Sequence, residues 1–452
     1  MAQTKNDQLP RKIGLFSASS IVIANMIGAG IFTTSGLLMG GLDNPWLLVI
    51  LWAVGGVVAL CGALSYAELG AAMPEAGGEY IFLSRLYHPM LGFLSGWVSL
   101  IVGFSAPIAA SAIGFSEYIF RAFPGLTEEA MVGGFLAAVL GKIMAIFIIL
   151  VFTLVHLRGM EFGSKVQNYL TLLKVGIVVV LVFLGLTFGE GDNSHFSQGS
   201  DIEWNLDTWK TMGLSLIWIM FGYSGWNAST YIGSEIKDPV KNLPGSLLYG
   251  TGIVIILYVL LNVVFVYATP PDEMKGVISI GGLTVRNLFG SSMEFAFSLA
   301  IALALLSSLS AFVIIGPRVY YSMAKDGYFF RIFARVHSKS EVPYAAILLQ
   351  AAIAIVMVLS GTFDQILTYM GFSLGLFPVL AVFGVFKLRA KGKAKLVLKG
   401  FPLHLVLYLV FAILMLILGY MERPVESTIA ILTALSGIPF FYYLKKKKLK
   451  VQ

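Results

Sequence analysis

Apolar runs long enough to cross a bilayer recur from one end of this chain to the other, and that pattern leaves few folds open. About 20 apolar residues cross the hydrocarbon core as a helix. About twelve such segments can be read, at 13–40, 45–70, 89–119, 135–156, 166–188, 209–235, 246–269, 290–323, 343–360, 364–386, 401–420 and 427–444. Each run is continuous, unlike the roughly 10-residue alternating strands of a membrane barrel. Hydrophobic residues make up 58% of the chain and charged residues 12%, where soluble domains carry roughly half and a quarter. No soluble core hides that much apolar surface, so the expected fold class is an all-α polytopic membrane protein.

Basic residues orient the segments. With the N-terminus inside, 24 Lys and Arg fall in the tails and loops of that side, including Lys5, Arg11, Lys12 and the terminal KKKKLK at 445–450. The other side receives five: Arg121, Lys210, Lys275, Arg286 and Arg423. Basic loops stay in the cytoplasm. Both termini are therefore expected there, with the chain in the plasma membrane, which in a bacterium is the inner membrane. The net charge of +7 then needs no nucleic acid to explain it, and the lysine run reads as a topology anchor in contact with membrane lipid. No short apolar stretch with a small-residue cleavage site is present, so no cleaved signal is expected. The single cysteine, Cys61, lies inside the second segment. It leaves no intrachain disulfide, and no disulfide-linked ancillary subunit is expected. No metal cluster, nucleophile triad or phosphate loop is visible, so neither an enzyme nor a cofactor is expected. His156, His195 and His337 fall at helix ends or in loops.

Two glycine-rich interruptions stand out. Gly28-Ala29-Gly30 breaks the first segment and FGYSGWN at 221–227 breaks the sixth. Glycine in a helix interior costs roughly 1 kcal/mol relative to alanine. Taken alone, GAG reads as close packing through small residues or as an unwound turn whose amides and half-helix dipole hold an anion. Irregular backbone at membrane depth is tolerated only against protein or a water-filled cavity. Residues 29 and 224 are 195 apart with five helices as the repeat unit, and an odd unit inverts the second half relative to the first. Paired interruptions in corresponding places point to a transporter's binding site.

These residues carry a resemblance. The chain resembles the amino acid–polyamine–organocation (APC) superfamily over nearly its whole length, through IGAGIF at 27–32, SYAELGAAMPEAGGEY at 65–80 and FGYSGWNASTYIGSEIKDPVKNLP at 221–244. The last stretch is similar to the L-type amino acid transporter branch. The resemblance implies a LeuT-type fold: a 5+5 inverted repeat with discontinuous helices 1 and 6. The expected divisions are an N-terminal tail 1–12, repeats 13–188 and 209–386, a helix pair 401–444 and a basic tail 445–452. It implies that the substrate carboxylate meets amides around Ala29 and Gly30. The amino group would meet carbonyls near Ile27 and at Phe221, Gly222 and Ser224, and Gly28 belongs to the substrate-binding set. Gly225 and Asn227 complete the substrate-binding set, and Phe221 and Trp226 form a gate. Family members often carry Gly-Ser-Gly where this chain has Gly28-Ala29-Gly30, so the alanine removes a hydroxyl from the site.

Lys174 lies nine residues past Lys165, about 14 Å along a helix and near the middle of a core about 30 Å thick. A lysine that deep is costly. In the resembled branch, a lysine here replaces a sodium ion and bridges helices one and eight. It is expected to reach carbonyls near Gly28 and to couple substrate binding to closure. Ser307, Ser308 and Ser310 are candidates to bond its surroundings. Lys142 reads as snorkelling outward. Glu68, Glu235, Lys237 and Asp238 read either as solvated helix-end anchors or as ion pairs that close the inner path. The function implied is sodium-independent exchange or proton-coupled uptake of α-amino acids, neutral and small to medium, by alternating access. A polyamine or amine/amino acid exchanger is the alternative, which a buried carboxylate near the site would favour, and none can be placed from sequence. A membrane sensor is a distant third.

Overall fold

The computed structural model describes residues 9–123, 134–199, 201–277, 279–360, 363–396 and 401–449. Lys5, Lys399 and Lys450, used above for orientation, lie outside them. The chain order is α1 (Leu15–Met26), α2 (Ala29–Leu42), α3 (Pro45–Ala72), α4 (Glu79–Leu86), α5 (Pro89–Val98), α6 (Ser105–Ala122), α7 (Gly134–Leu157), α8 (Met160–Phe188) and α9 (Leu206–Gly222). It continues with α10 (Pro239–Ala268), α11 (Pro271–Met274), α12 (Ile280–Phe289), α13 (Ser291–Lys325), α14 (Tyr344–Ser360), α15 (Phe363–Ala390), α16 (Leu403–Glu422) and α17 (Pro424–Leu449). Among the described residues, extended pairing is limited to two isolated bridges, Ile13 with Ile236 and Ala76 with Ile232.

Among those residues, ten helices are long and apolar enough to span a bilayer, counting α1 with α2 and α5 with α6 as single spans. Two of the expected segments fall short of that length: α14 and α9 have 17 residues each, about 25 Å of helix. The shortening of α9 has a local cause. Gly222 ends the helix, Gly225 takes φ +100, and the chain goes on as short 3-10 turns at Ala228–Tyr231 and Gly233–Glu235. The expected helix through 235 therefore stops at 222. The third segment is also interrupted, by a π-helical turn at Ser99–Gly103. Such wide turns expose backbone and collect at functional sites.

The centre of the bundle is α1, α3, α6, α10 and α13, with α3 packed on α10, α6 on α13 and α1 on α10. The first span is 78% buried within the protein and the α5–α6 span 83%, whereas α7 is 28% and α8 33% buried. Phe147, Leu154, Leu172 and Phe183 stand exposed on α7 and α8, the surface a lipid-facing helix presents. The interrupted α1–α2 and α5–α6 spans thus run through the protein's middle beside α3, α10 and α13, and α7 and α8 lie toward its outside.

Candidate functional site

The first helix is broken at Ile27 and Gly28, both extended, between the end of α1 and the start of α2. The first N–H groups of a helix have no acceptor within it, and no side chain caps α2. These amides adjoin a small pocket of about 20 Å³ that Asn25, Gly28, Ala29, Gly30, Phe221 and Ser224 help to line. Asn25 is 2% exposed. Its Nδ2 donates to the Ile21 carbonyl at 2.7 Å, while its Oδ1 has no hydrogen-bond partner among the described residues.

The second break meets the first. Ser224 N donates to the Phe221 carbonyl at 2.9 Å, and Gly225 turns the chain back toward α1. A Cβ on Gly225 would stand 2.5 Å from the Asn25 Cβ, and one on Gly30 2.6 Å from the Gly222 Cα. Tyr258 of α10 ties the breaks together. Its hydroxyl faces the Gly222 carbonyl at 3.0 Å and also the Met26 carbonyl. Tyr258 was not singled out by sequence reasoning; a tyrosine amid the apolar run of α10 was the available signal.

Lys174 of α8 is fully buried. Its Nζ donates to the Ala24 carbonyl at 3.1 Å, to Ser308 Oγ at 2.7 Å and to the Ile27 carbonyl. Ser308 Oγ in turn donates to the Ile27 carbonyl at 2.7 Å. Three ammonium protons thus find three acceptors, and the cation sits at the negative end of the α1 dipole. The neighbouring serines do other work. Ser307 holds Gln167 at 3.1 Å, and Ser310 holds the buried His156 at 2.8 Å. Lys142 donates to the Leu359 carbonyl at 3.0 Å.

A larger cavity of about 80 Å³ shares Phe221, Ser224 and Phe312 with the small pocket. Trp226 and Asn227 line it, as do Ser99, Gly103 and Phe104 from the π turn. Tyr223 does not; it is buried against α3 and donates to the Trp52 carbonyl at 3.0 Å. Trp226 is held edge-on by Tyr66, with ring centroids 4.7 Å apart. The wall also carries a carboxylate that sequence reasoning did not place: Glu79, 4% exposed. Tyr66 donates to its Oε1 at 2.8 Å and Asn227 Nδ2 at 2.6 Å, and Tyr231 donates to Oε2. Burial pushes the Glu79 pKa above its ordinary value, while the donors Tyr231, Tyr66 and Asn227 pull against that rise. The signal lay inside the quoted GGEY, but nothing local says that this loop carboxylate turns inward.

Charges at the N-terminal face are partly buried. Glu235 is fully buried and paired with Arg318, Nε to Oε1 at 2.8 Å and a second contact at 3.2 Å. Glu68, also buried, accepts from Arg389 Nε at 2.8 Å. Of the two readings open for these helix ends, burial and pairing apply to Glu68 and Glu235, whereas Lys237 and Asp238 are exposed. Arg11 donates to the Ile236 carbonyl at 2.7 Å, and Lys237 N to the Ile13 carbonyl at 2.8 Å. The chain before α1 therefore lies against the turns after α9.

A multi-pass helical membrane protein whose two broken helices meet around internal cavities has the parts of a transporter. A family model of the amino acid permeases matches residues 13–439, and the chain belongs to that family. It is 28% identical to the serine/threonine exchanger SteT of Bacillus subtilis (strain 168), covering 98% of this chain and 99% of that one. It is 27% identical to b(0,+)-type amino acid transporter 1 of Mus musculus, covering 97% and 89%. It is also 26% identical to large neutral amino acids transporter small subunit 2 of Homo sapiens, covering 96% and 80%. These relatives are transporters, not enzymes. Cys61, the chain's one cysteine, is buried and free.

Proposed function

We propose that this protein carries α-amino acids, neutral and small to medium, across the plasma membrane by alternating access, with both termini in the cytoplasm. The single observation that carries the reading is the contact of the two helix breaks, with uncapped amides on one side and turn carbonyls on the other. A zwitterion needs a donor cluster and an acceptor cluster a few ångströms apart. The carboxylate takes the amides at Ala29 and Gly30. Lys174 and Ser308 already fill the Ile27 carbonyl, and Tyr258 bonds that of Gly222. One lone pair of the Phe221 carbonyl already accepts from Ser224 N, so the ammonium is left with its second lone pair, the Ser224 carbonyl and Asn25 Oδ1. Phe221 and Trp226 act as the gate, and Lys174 links occupancy of the site to the position of α1. The inverted 5+5 repeat and twelve spans are part of this proposal. So is action without a disulfide-linked subunit, since the only thiol is buried.

The test is counterflow of labelled alanine in proteoliposomes, with and without a pH gradient. Dependence on internal amino acid without dependence on the gradient identifies an exchanger, and the same counterflow in sodium-free buffer shows that it is sodium-independent. Gradient-driven uptake identifies proton coupling, and failure of every common amino acid to support counterflow overturns the reading. Glu79 in the cavity wall favours one second reading, an exchanger of polyamines or of amines for amino acids. Counterflow that survives loss of the substrate carboxylate would establish it.

A further inference from the structure

Glu79 brings an acidic group to an otherwise neutral cavity. Its recorded partners, Tyr66, Tyr231 and Asn227, are neutral donors. The ion pairs found among the described residues leave it without a cation. All three neighbours donate to its two oxygens, the arrangement that satisfies an ionised carboxylate, which only accepts hydrogen bonds. This wall therefore attracts donors and repels other acceptors. Because the two cavities share Phe221, Ser224 and Phe312, a substrate held at the helix breaks extends its side chain into the space that Glu79 lines. That space, about 80 Å³, is roughly half of the ~150 Å³ cavity that admits benzene, so the side chain it takes is short.

We propose that Glu79 is the side-chain selector of this site. It favours α-amino acids whose short side chain ends in a hydrogen-bond donor, a hydroxyl or an ammonium, over apolar side chains of equal length and over acidic ones. The proposal rests on the reading of the site as one for α-amino acids. It adds a specificity determinant outside the two glycine motifs, contributed by the short α4.

The experiment is inhibition of labelled alanine counterflow by the full-length protein in liposomes, with homoserine, 2,4-diaminobutyrate, norvaline, aspartate and putrescine as competitors. The better of homoserine and diaminobutyrate should compete at least about tenfold more strongly than norvaline, the size of one hydrogen bond to a charged group. Aspartate should compete least among the amino acids. Whichever of the two donors wins identifies the terminal group as cation or hydroxyl. In Glu79→Gln the ratio of donor to norvaline should collapse toward one; as a ratio, it is insensitive to a general loss of transport. Equal inhibition by norvaline and both donors in the wild type overturns the selector and needs no variant. An unchanged ratio in Glu79→Gln overturns it as well. Strong inhibition by putrescine, or no counterflow with any common amino acid as the labelled substrate, overturns instead the α-amino acid reading beneath it.

Discussion

Gly30 and Gly222 meet backbone to backbone, so closely that a Cβ on Gly30 would stand 2.6 Å from the Gly222 Cα and 3.3 Å from the Phe221 ring. No side chain there can turn aside to make room, because the nearest atom is main chain. Gly30→Ala should force the two breaks apart, at an overpacking cost of about 1–3 kcal/mol. Counterflow should be lost, and the melting temperature of the purified protein should fall. Gly28→Ala should do less, since its Cβ would face Ser308 Oγ at 3.0 Å, a side-chain contact that a shift of a few tenths of an ångström relieves. Equal effects of the two variants would contradict this geometry.

Lys174 holds the end of α1 through the Ala24 and Ile27 carbonyls and Ser308. Lys174→Ala removes all three contacts and leaves buried carbonyls short of a donor, a cost of about 1–3 kcal/mol. Uptake should be crippled while membrane insertion, followed by the yield of a fluorescent fusion, stays intact. Near-normal transport by this variant would remove Lys174 from the coupling.

Asn25 offers the pocket an orphan Oδ1 beside Gly28. Asn25→Leu keeps the bulk and deletes the acceptor. Loss of one hydrogen bond to a charged ammonium should raise the KM for alanine about tenfold or more. Protein yield should hold, because the other bond lost is the local one from Nδ2 to the Ile21 carbonyl within α1. An unchanged KM would assign the ammonium to the backbone carbonyls of Phe221 and Ser224 only.

Glu235 and Arg318 form a bidentate pair at 0% and 2% side-chain exposure. Removing one partner of a buried pair typically costs about 3–5 kcal/mol, so Glu235→Gln should lower thermal stability sharply. The exposed Lys165–Glu161 pair of α8 is the internal control, because surface pairs contribute about 0–1 kcal/mol. Breaking it with Glu161→Gln should leave the melting curve in place. A comparable shift in both would mean that burial does not set the strength of these pairs.

Much of the architecture was legible in the sequence because its causes are local. Bilayer-length apolar runs dictate spanning helices wherever they occur. Glycines at 28–30 and 222–225 weaken helices where they stand, and the structure interrupts α1 and α9 at those points. Lys174 drew notice by its depth in an apolar run. What the sequence could not show is which polar atoms find one another. The Ile27 and Gly222 carbonyls look equally free in the linear chain, yet Lys174, Ser308 and Tyr258 reach them from three other helices. Glu79 reads as a loop carboxylate until α4 folds in beside Tyr66, Asn227 and Tyr231. Glu235 reads as a helix-end charge until Arg318 buries it. A helix is specified by its own residues, whereas a buried donor takes whichever acceptor the packing brings within 3 Å or so. The sequence therefore determined a helical membrane protein with two weakened spans, and the tertiary structure decided which atoms those breaks leave open for a ligand.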